Sequence, residues 1–182
     1  PKYVHLPAVM KDKHNKLSKR NGDASFQDLV NKGYLPGAIV NYIALLGWSP
    51  SVNQEIFTME ELKKEFSIKG LSKSPAIFDI EKLTWMNGEY IKKMEFEDFY
   101  KWAEPELKAA VKRTDIDLKK VAKYVQTRIG TSKDIAAMVS FIDKLPEYST
   151  DLYVHKKMKT TPETSLTVLK EIYPVIEAQE DF

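Results

Sequence analysis

Pro36-Gly37-Ala38-Ile39-Val40-Asn41-Tyr42-Ile43-Ala44-Leu45-Leu46-Gly47 reads as a helix with its own start and stop. Ile39, Tyr42, Ile43 and Leu46 recur at i, i+3, i+4 and i+7, which predicts a core-facing stripe. Pro36 falls near the first turn, where its missing N–H costs nothing, and Gly47 is placed to end the run. The same grammar recurs outward along the chain. Thr58-Met59-Glu60-Glu61 is a capping box that predicts a short helix continuing through Leu62 and Phe66. Ser74-Pro75 is expected to open a third helix carrying Leu83, Met86, Tyr90 and Met94 on one face, weakened or broken at Asn87-Gly88. Trp85 and Trp102 are expected to pack in this region.

Glu104-Pro105 predicts a boundary, and beyond Thr114 the composition predicts longer regular helices with lysine-rich outer faces. Leu118, Val121, Ala122, Val125 and Ile129 form one stripe. Ile135, Met138, Val139 and Ile142 form a second, behind a cap at Thr131 or Ser132. Leu166, Leu169 and Ile176 suggest a third, started by Thr161-Pro162-Glu163. The fold class is therefore mainly α. The exception is the start of the chain, where Tyr3 to Met10 alternates weakly around Pro7 and predicts a short extended edge segment, with no partner strand elsewhere in the chain. A polar turn at Lys11 to Asn15 and a loop at Lys16 to Asp23 follow, before helical pattern resumes at Ser25.

Composition narrows the function classes. At 182 residues with 43% hydrophobic and 30% charged residues, the sequence is that of an ordinary globular protein rather than a disordered one. Cysteine is absent and His5, His14 and His155 are scattered, so neither a disulfide scaffold nor a Cys-ligated zinc site is expected, and no metal site is assigned. No apolar run approaches the roughly 20 residues that span a bilayer, so no membrane partner is expected. There is no Gly-x-Ser-x-Gly elbow, Walker loop, Gly-x-Gly-x-x-Gly or His-Glu-x-x-His helix. Glu60 and Glu61 stand at a helix start, where the dipole explains them better than catalysis does.

The net charge of +2 is unevenly spread. Lys2, Lys11, Lys13, Lys16, Lys19 and Arg20 face only Asp12 and Asp23 in the first 24 residues, so the positive excess lies there. Lys16-Leu17-Ser18-Lys19-Arg20 can reach a polyphosphate and neutralise charge building on a leaving pyrophosphate. That chemistry needs cations rather than a base.

With its neighbours, this string resembles the bacterial glutamyl-tRNA synthetase family of class I aminoacyl-tRNA synthetases, Lys16 to Arg20 matching the KMSKS signature loop. His5-Leu6-Pro7 precedes the loop, Gly33-Tyr34-Leu35-Pro36 leads into Asn41-Tyr42-Ile43-Ala44-Leu45-Leu46-Gly47-Trp48, and Leu71-Ser72-Lys73-Ser74-Pro75-Ala76-Ile77-Phe78-Asp79 runs on to Lys82-Leu83-Thr84-Trp85-Met86-Asn87. The words cover residues 1–94, and residues 95–182 share only the helical pattern. Asn21 departs from the histidine that many members carry.

The resemblance implies ATP-dependent activation of glutamate to glutamyl-adenylate, followed by transfer to the 3′ end of tRNA(Glu), with Mg2+ accompanying ATP. It implies that Lys19 contacts the ATP phosphates, supported by Lys16, Ser18 and Arg20. It implies three parts: residues 1–24 as the trailing edge of the catalytic domain, 25–114 as a stem-contact helical domain, and 115–182 as the first helices of an α-helical anticodon-binding domain. No His-x-Gly-His occurs in the sequence. The resemblance therefore implies a segment of a longer, monomeric, cytoplasmic enzyme, which would bind glutamate and ATP together with an N-terminal domain and be inactive without it. Lys69, Lys73, Ser74, Lys119, Lys120, Lys123 and Arg128 are candidate contacts for tRNA phosphates. The alternative is a free-standing, non-catalytic tRNA-binding helical module that keeps these basic residues.

Overall fold

The structure, a computed structural model, describes residues 3–18 and 25–179. Eight α-helices and one two-stranded ladder are present among these residues. The chain divides into two compact units, Pro1–Asp143 and Lys144–Phe182.

The first unit begins with strand β1 (Val9–Met10), which pairs in parallel with β2 (Ala76–Ile77), Val9 opposite Ala76 and Met10 opposite Ile77. The expectation of an extended start is met; the expectation that it finds no partner strand is corrected. Between the strands run helices α1 (Phe26–Asn31), α2 (Pro36–Gly47) and α3 (Met59–Glu65). α1 and α3 each open on a reciprocal capping box, Ser25 with Asp28 and Thr58 with Glu61, satisfying donors that helix starts leave unpaired.

α2 starts and stops where its sequence says, yet it is rotated from the expected face. Ala38, Ile39, Asn41 and Tyr42 are buried, whereas Ile43 is 49% exposed. The cause is Asn41, whose Oδ1 accepts from Phe57 N at 2.7 Å and from the Tyr90 hydroxyl at 2.9 Å. Turning the amide inward pairs the buried Phe57 N–H, and Ile43 gives up its place in the core.

Helix α4 (Ile80–Lys93) starts later than Ser74-Pro75 and is not broken at Asn87-Gly88. Ala76 and Ile77 are taken up by the ladder, and the Asp79 side chain caps α4 by accepting from the amides of Glu81 and Lys82. Asn87 and Gly88 are both buried within it. A side chain at Gly88 would meet the Ile129 carbonyl at 3.3 Å, so the small residue permits a close approach of α4 to that backbone. Trp85 is 48% exposed rather than packed, while Trp102 stacks obliquely on Phe99 with ring centroids 6.1 Å apart.

Helix α5 (Phe96–Ala110) runs straight through the expected boundary at Glu104-Pro105. Pro105 is on the exposed side, as is Lys101, whose carbonyl loses its helical donor and can turn to water instead. Phe99, Ala103 and Leu107 hold the other face in the core. Beyond Thr114 the helices are shorter than expected: α6 (Leu118–Val125) and α7 (Asp134–Val139), then a 3-10 turn at Ser140–Ile142. Both stripes nevertheless point inward, with Ala122, Val125, Ile129, Ile135 and Val139 joining Ile91, Phe99 and Leu107 in one cluster. Full burial of such a side chain contributes about 1.5–3 kcal/mol. Neither Thr131 nor Ser132 caps α7; both are buried, and the Asp134 carboxylate instead accepts from Gly130 N at 2.9 Å and Thr131 N at 2.8 Å.

In the second unit a 3-10 turn at Thr150–Tyr153 and a hairpin closed by His155 and Thr160 precede helix α8 (Pro162–Glu177). Thr161 caps α8 as its sequence predicts, in a reciprocal pair with Thr164. Leu166, Leu169 and Ile176, the expected third core stripe, each remain about half exposed.

Candidate functional site

The basic segment is built on a strand–turn–bridge. After β1, Lys11 N donates to Asn15 O at 2.8 Å, Leu17 N to Val9 O at 3.0 Å, and Lys16 forms an antiparallel bridge with Met10. Asp12 organises the turn. Its carboxylate accepts from His14 N at 2.8 Å, Asn15 N at 2.9 Å and Asn15 Nδ2 at 2.9 Å. The sequence showed these residues only as a polar turn; the Asp-x-x-Asn spacing is the signal that marks the bracket. The result sets Lys11, Lys13 and Lys16 within six residues of one doubled-back chain.

Hydrogen bonds, first from the Asn15 side chain and then from the His14 and Asn15 amides, hold the Asp12 carboxyl below the ordinary value of 3.8. A carboxyl depressed in the folded state lends stability that is present above its unfolded value and lost as pH falls through the folded value. The Asp12–Asn15 turn is therefore expected to open only on acidification below pH 3.8. An NMR titration following the Asn15 amide checks this, and a midpoint at or above 3.8 would show that the bracket does not hold.

The root of this segment is tied to the helices behind it. Phe78 N donates to Met10 O at 2.8 Å, just past the β1–β2 ladder. The Phe78 ring meets Tyr42 of α2 edge-on, centroids 5.3 Å apart at 88°. The Tyr42 hydroxyl in turn accepts from Asp79 N at 2.6 Å, and burial pushes its own ionisation up, keeping it a neutral phenol. Met10, Phe78, Tyr42 and the cap of α4 thus form one connected set. Tyr90, pushed up to about 12 by burial and the nearby Glu61 charge, closes a second set by donating to Asn41 and the Phe57 carbonyl.

The candidate residues fall in three places. Lys16 is exposed at the end of the turn and Ser18 is half-buried, while Lys19 and Arg20 lie outside the described residues. Lys69 and the pair Lys73 and Ser74 flank the bridge between Trp48 and Leu71 on the approach to β2, with Ser74 N bonded to Ser72 Oγ at 3.1 Å. The ladder therefore brings the root of the basic loop beside the end of that approach. Lys119, Lys120 and Lys123 are on α6 and Arg128 follows it. Of these, Lys119 is engaged, with Nζ 2.9 Å from both Glu97 carboxylate oxygens and 5.3 Å from the centre of the Tyr100 ring. Lys123 and Arg128 are exposed, and Arg128 borders an apolar cavity of about 380 Å³ with Tyr124 and Phe141.

Comparison with known proteins gives two family matches that follow one another along the chain. The family described as tRNA synthetases class I (E and Q), catalytic domain, matches residues 1–85, and the family described as anticodon binding domain matches residues 96–182. Glutamate–tRNA ligase of Clostridium botulinum (strain Eklund 17B / Type B) is 57% identical over 177 residues, covering 97% of this chain. That of Clostridium novyi (strain NT) is 55% identical and covers 100%.

The chain is homologous along its length to glutamate–tRNA ligases. It spans 36% and 38% of the length of those two curated relatives. The fold agrees: the crystal structure of a glutamate tRNA ligase from Elizabethkingia meningosepticum CCUG26117 in complex with its amino acid superposes with a TM-score of 0.74 at 28% identity, over 99% of this chain and 39% of that one. The glutamate-tRNA synthetase of Elizabethkingia anophelis gives 0.73 at 27% identity. The resemblance drawn from the KMSKS-type words is thus confirmed for this synthetase family. Among the described residues no helix is long and apolar enough to cross a membrane, and no group of three or more His, Asp or Glu could hold a metal.

Proposed function

We propose that this chain supplies the ATP-phosphate loop and tRNA-contacting helices of a glutamate–tRNA ligase. In that reaction a glutamate carboxylate oxygen attacks the α-phosphorus of ATP and pyrophosphate leaves; a 3′-terminal hydroxyl of tRNA(Glu) then attacks the glutamyl carbonyl and AMP leaves. The reading includes Mg2+ with ATP, a monomer and a cytoplasmic setting. Within it residues 1–24 close the catalytic domain, 25–114 form the stem-contact domain and 115–182 begin the anticodon-binding domain.

The observation that carries this reading is the Asp12-braced turn that sets Lys16, Leu17 and Ser18, the described start of the loop word, on a strand anchored on α2 and α4. Pre-organised cations at a developing pyrophosphate stabilise the transition state without reorganising when the charge forms. Lys19 takes the phosphate contact, with Lys16, Ser18 and Arg20 supporting the loop. Lys123 on α6 and Arg128 just after it are the freer cations for tRNA phosphates, with Lys69, Lys73 and Ser74 on the stem-contact side, while Lys119 must first leave Glu97.

In a glutamate–tRNA ligase carrying this segment, Lys19→Ala is expected to slow adenylate formation by about 100-fold or more while changing tRNA affinity little. ATP–pyrophosphate exchange and tRNA titration measure the two separately. Equal losses in both would make Lys19 a general RNA-contact lysine, and unchanged exchange would favour the non-catalytic tRNA-binding module.

A further inference from the structure

The unit Lys144–Phe182 holds more carboxylates than lysines, yet residues 152–162 contain Lys156, Lys157 and Lys159 and no Asp or Glu. These three lysines occupy the tip of one short hairpin. His155 and Thr160 close it with two backbone hydrogen bonds of 3.3 Å, Thr160 Oγ1 donates to Tyr153 O at 2.8 Å, and Met158 N donates to His155 Nδ1 at 3.2 Å. Four turn residues lie between the closing pair. In a turn this tight, residues three apart stand within about 7 Å at Cα, comparable with the spacing of neighbouring phosphates on a nucleic acid strand.

One feature separates this hairpin from an ordinary solvated lysine run, and a second leaves its cations available. Lys159 is at φ 55°, the only non-glycine residue with positive φ among those described. Glycine or asparagine would occupy that position with less strain, and strain retained at an exposed tip marks a place where the side chain itself is wanted. The lysines are also unclaimed. Lys63, Lys82, Lys92, Lys108, Lys119 and Lys133 each pair with a glutamate, whereas Lys156, Lys157 and Lys159 are exposed and have no carboxylate partner among the described residues.

We propose that the His155–Thr160 hairpin is a docking site for the phosphodiester backbone of tRNA, with Lys156, Lys157 and Lys159 as its cations. The inference rests on the tRNA reading above and adds a contact that lies outside α6. The closed base fixes the backbone from which all three lysines branch, so less backbone order is lost when phosphates replace their counterions.

The test uses the chain with bacterial tRNA in a salt series followed by fluorescence anisotropy, alongside vesicles containing phosphatidylserine. Removing three phosphate contacts is expected to make the log–log salt dependence shallower by about 2 and to weaken binding at least about 10-fold at roughly 50 mM salt. The triple variant Lys156→Ala, Lys157→Ala, Lys159→Ala should show this. The equally charged control Lys32→Ala, Lys64→Ala, Lys101→Ala should stay near the parent. Lys159→Gly, which relieves the backbone as it removes one cation, should lose about 0.7–0.9 of slope while folding at least as well. The proposal is overturned if the hairpin variants bind tRNA as the parent does, if the control loses as much, or if the hairpin variants lose only vesicle binding. A parent chain that binds no tRNA at low salt would instead overturn the tRNA reading itself.

Discussion

Asn87→Ala is expected to destabilise the first unit by about 4 kcal/mol, roughly a thousand-fold in its folding equilibrium. Asn87 is fully buried in α4, with Oδ1 accepting from Leu35 N at 2.7 Å and Nδ2 donating to Gly130 O at 2.6 Å. One amide thereby joins the entry to α2 with the segment between α6 and α7. Removing it strands a backbone donor and a backbone acceptor, each costing about 1–3 kcal/mol, and leaves a small void. Trp48, Trp85 and Trp102 all belong to Pro1–Asp143, so tryptophan fluorescence in a urea titration reads this unit. A loss below about 1 kcal/mol would show that both groups find other partners or water. Asn87→Asp should not rescue, because a carboxylate keeps the acceptor but presents no donor to Gly130.

Gly33→Ala is the second large effect, expected at about 3 kcal/mol or more from strain and overlap together. Gly33 ends α1 at φ 88°, donating to Val30 O at 2.9 Å while Tyr34 N reaches back to Leu29 O at 3.1 Å. Such a backbone already disfavours an L side chain. In addition, a Cβ there would lie 2.5 Å from Ser132 Oγ and 2.7 Å from Ser132 N, the amide that donates to Gly33 O at 3.2 Å. At roughly 2–4 °C per kcal/mol, a thermal melt followed by tryptophan emission should fall by about 6–12 °C. Adding Ser132→Gly should recover only part of this, since the backbone amide still intrudes. An unchanged melting temperature, or full recovery, would mean that the Gly33–Ser132 approach is not tight.

Both positions lie on one seam. Gln126 adds to it, its Nε2 donating to Ile91 O at 3.0 Å and Met94 O at 2.9 Å at the end of α4. The segments matching the catalytic-domain family and the anticodon binding domain family, residues 1–85 and 96–182, therefore meet within the first unit directly through the Ser132 N to Gly33 O bond, and through Asn87, which bridges Leu35 of the one to Gly130 of the other. Any joint between them at residues 86–95 would have to open these bonds.

What could be read without coordinates was what closes within a few residues. The Thr58 and Thr161 caps, the Pro36 start and the Gly47 stop depend on partners no more than one turn away, and each is found as written. The family was legible for a related reason: the words around Lys16 to Arg20 and Asn41 to Trp48 are contiguous strings, and no folding is needed to compare them. Asn87-Gly88 looked like a helix breaker because local propensity counts only the cost of these residues inside a helix. Its benefit comes from Leu35 and Gly130, 52 and 43 residues away. Asn41 rotating α2 and Ala76-Ile77 leaving a helix start to pair with β1 follow the same logic, whereas Pro105 survives because its face is wet and Phe99, Ala103 and Leu107 hold the opposite face of α5 in the core. Propensities differ by a few tenths of a kcal/mol to about 1 kcal/mol for most residues, whereas a buried unpaired polar group costs about 1–3 kcal/mol, so the distant partner prevails wherever the two disagree.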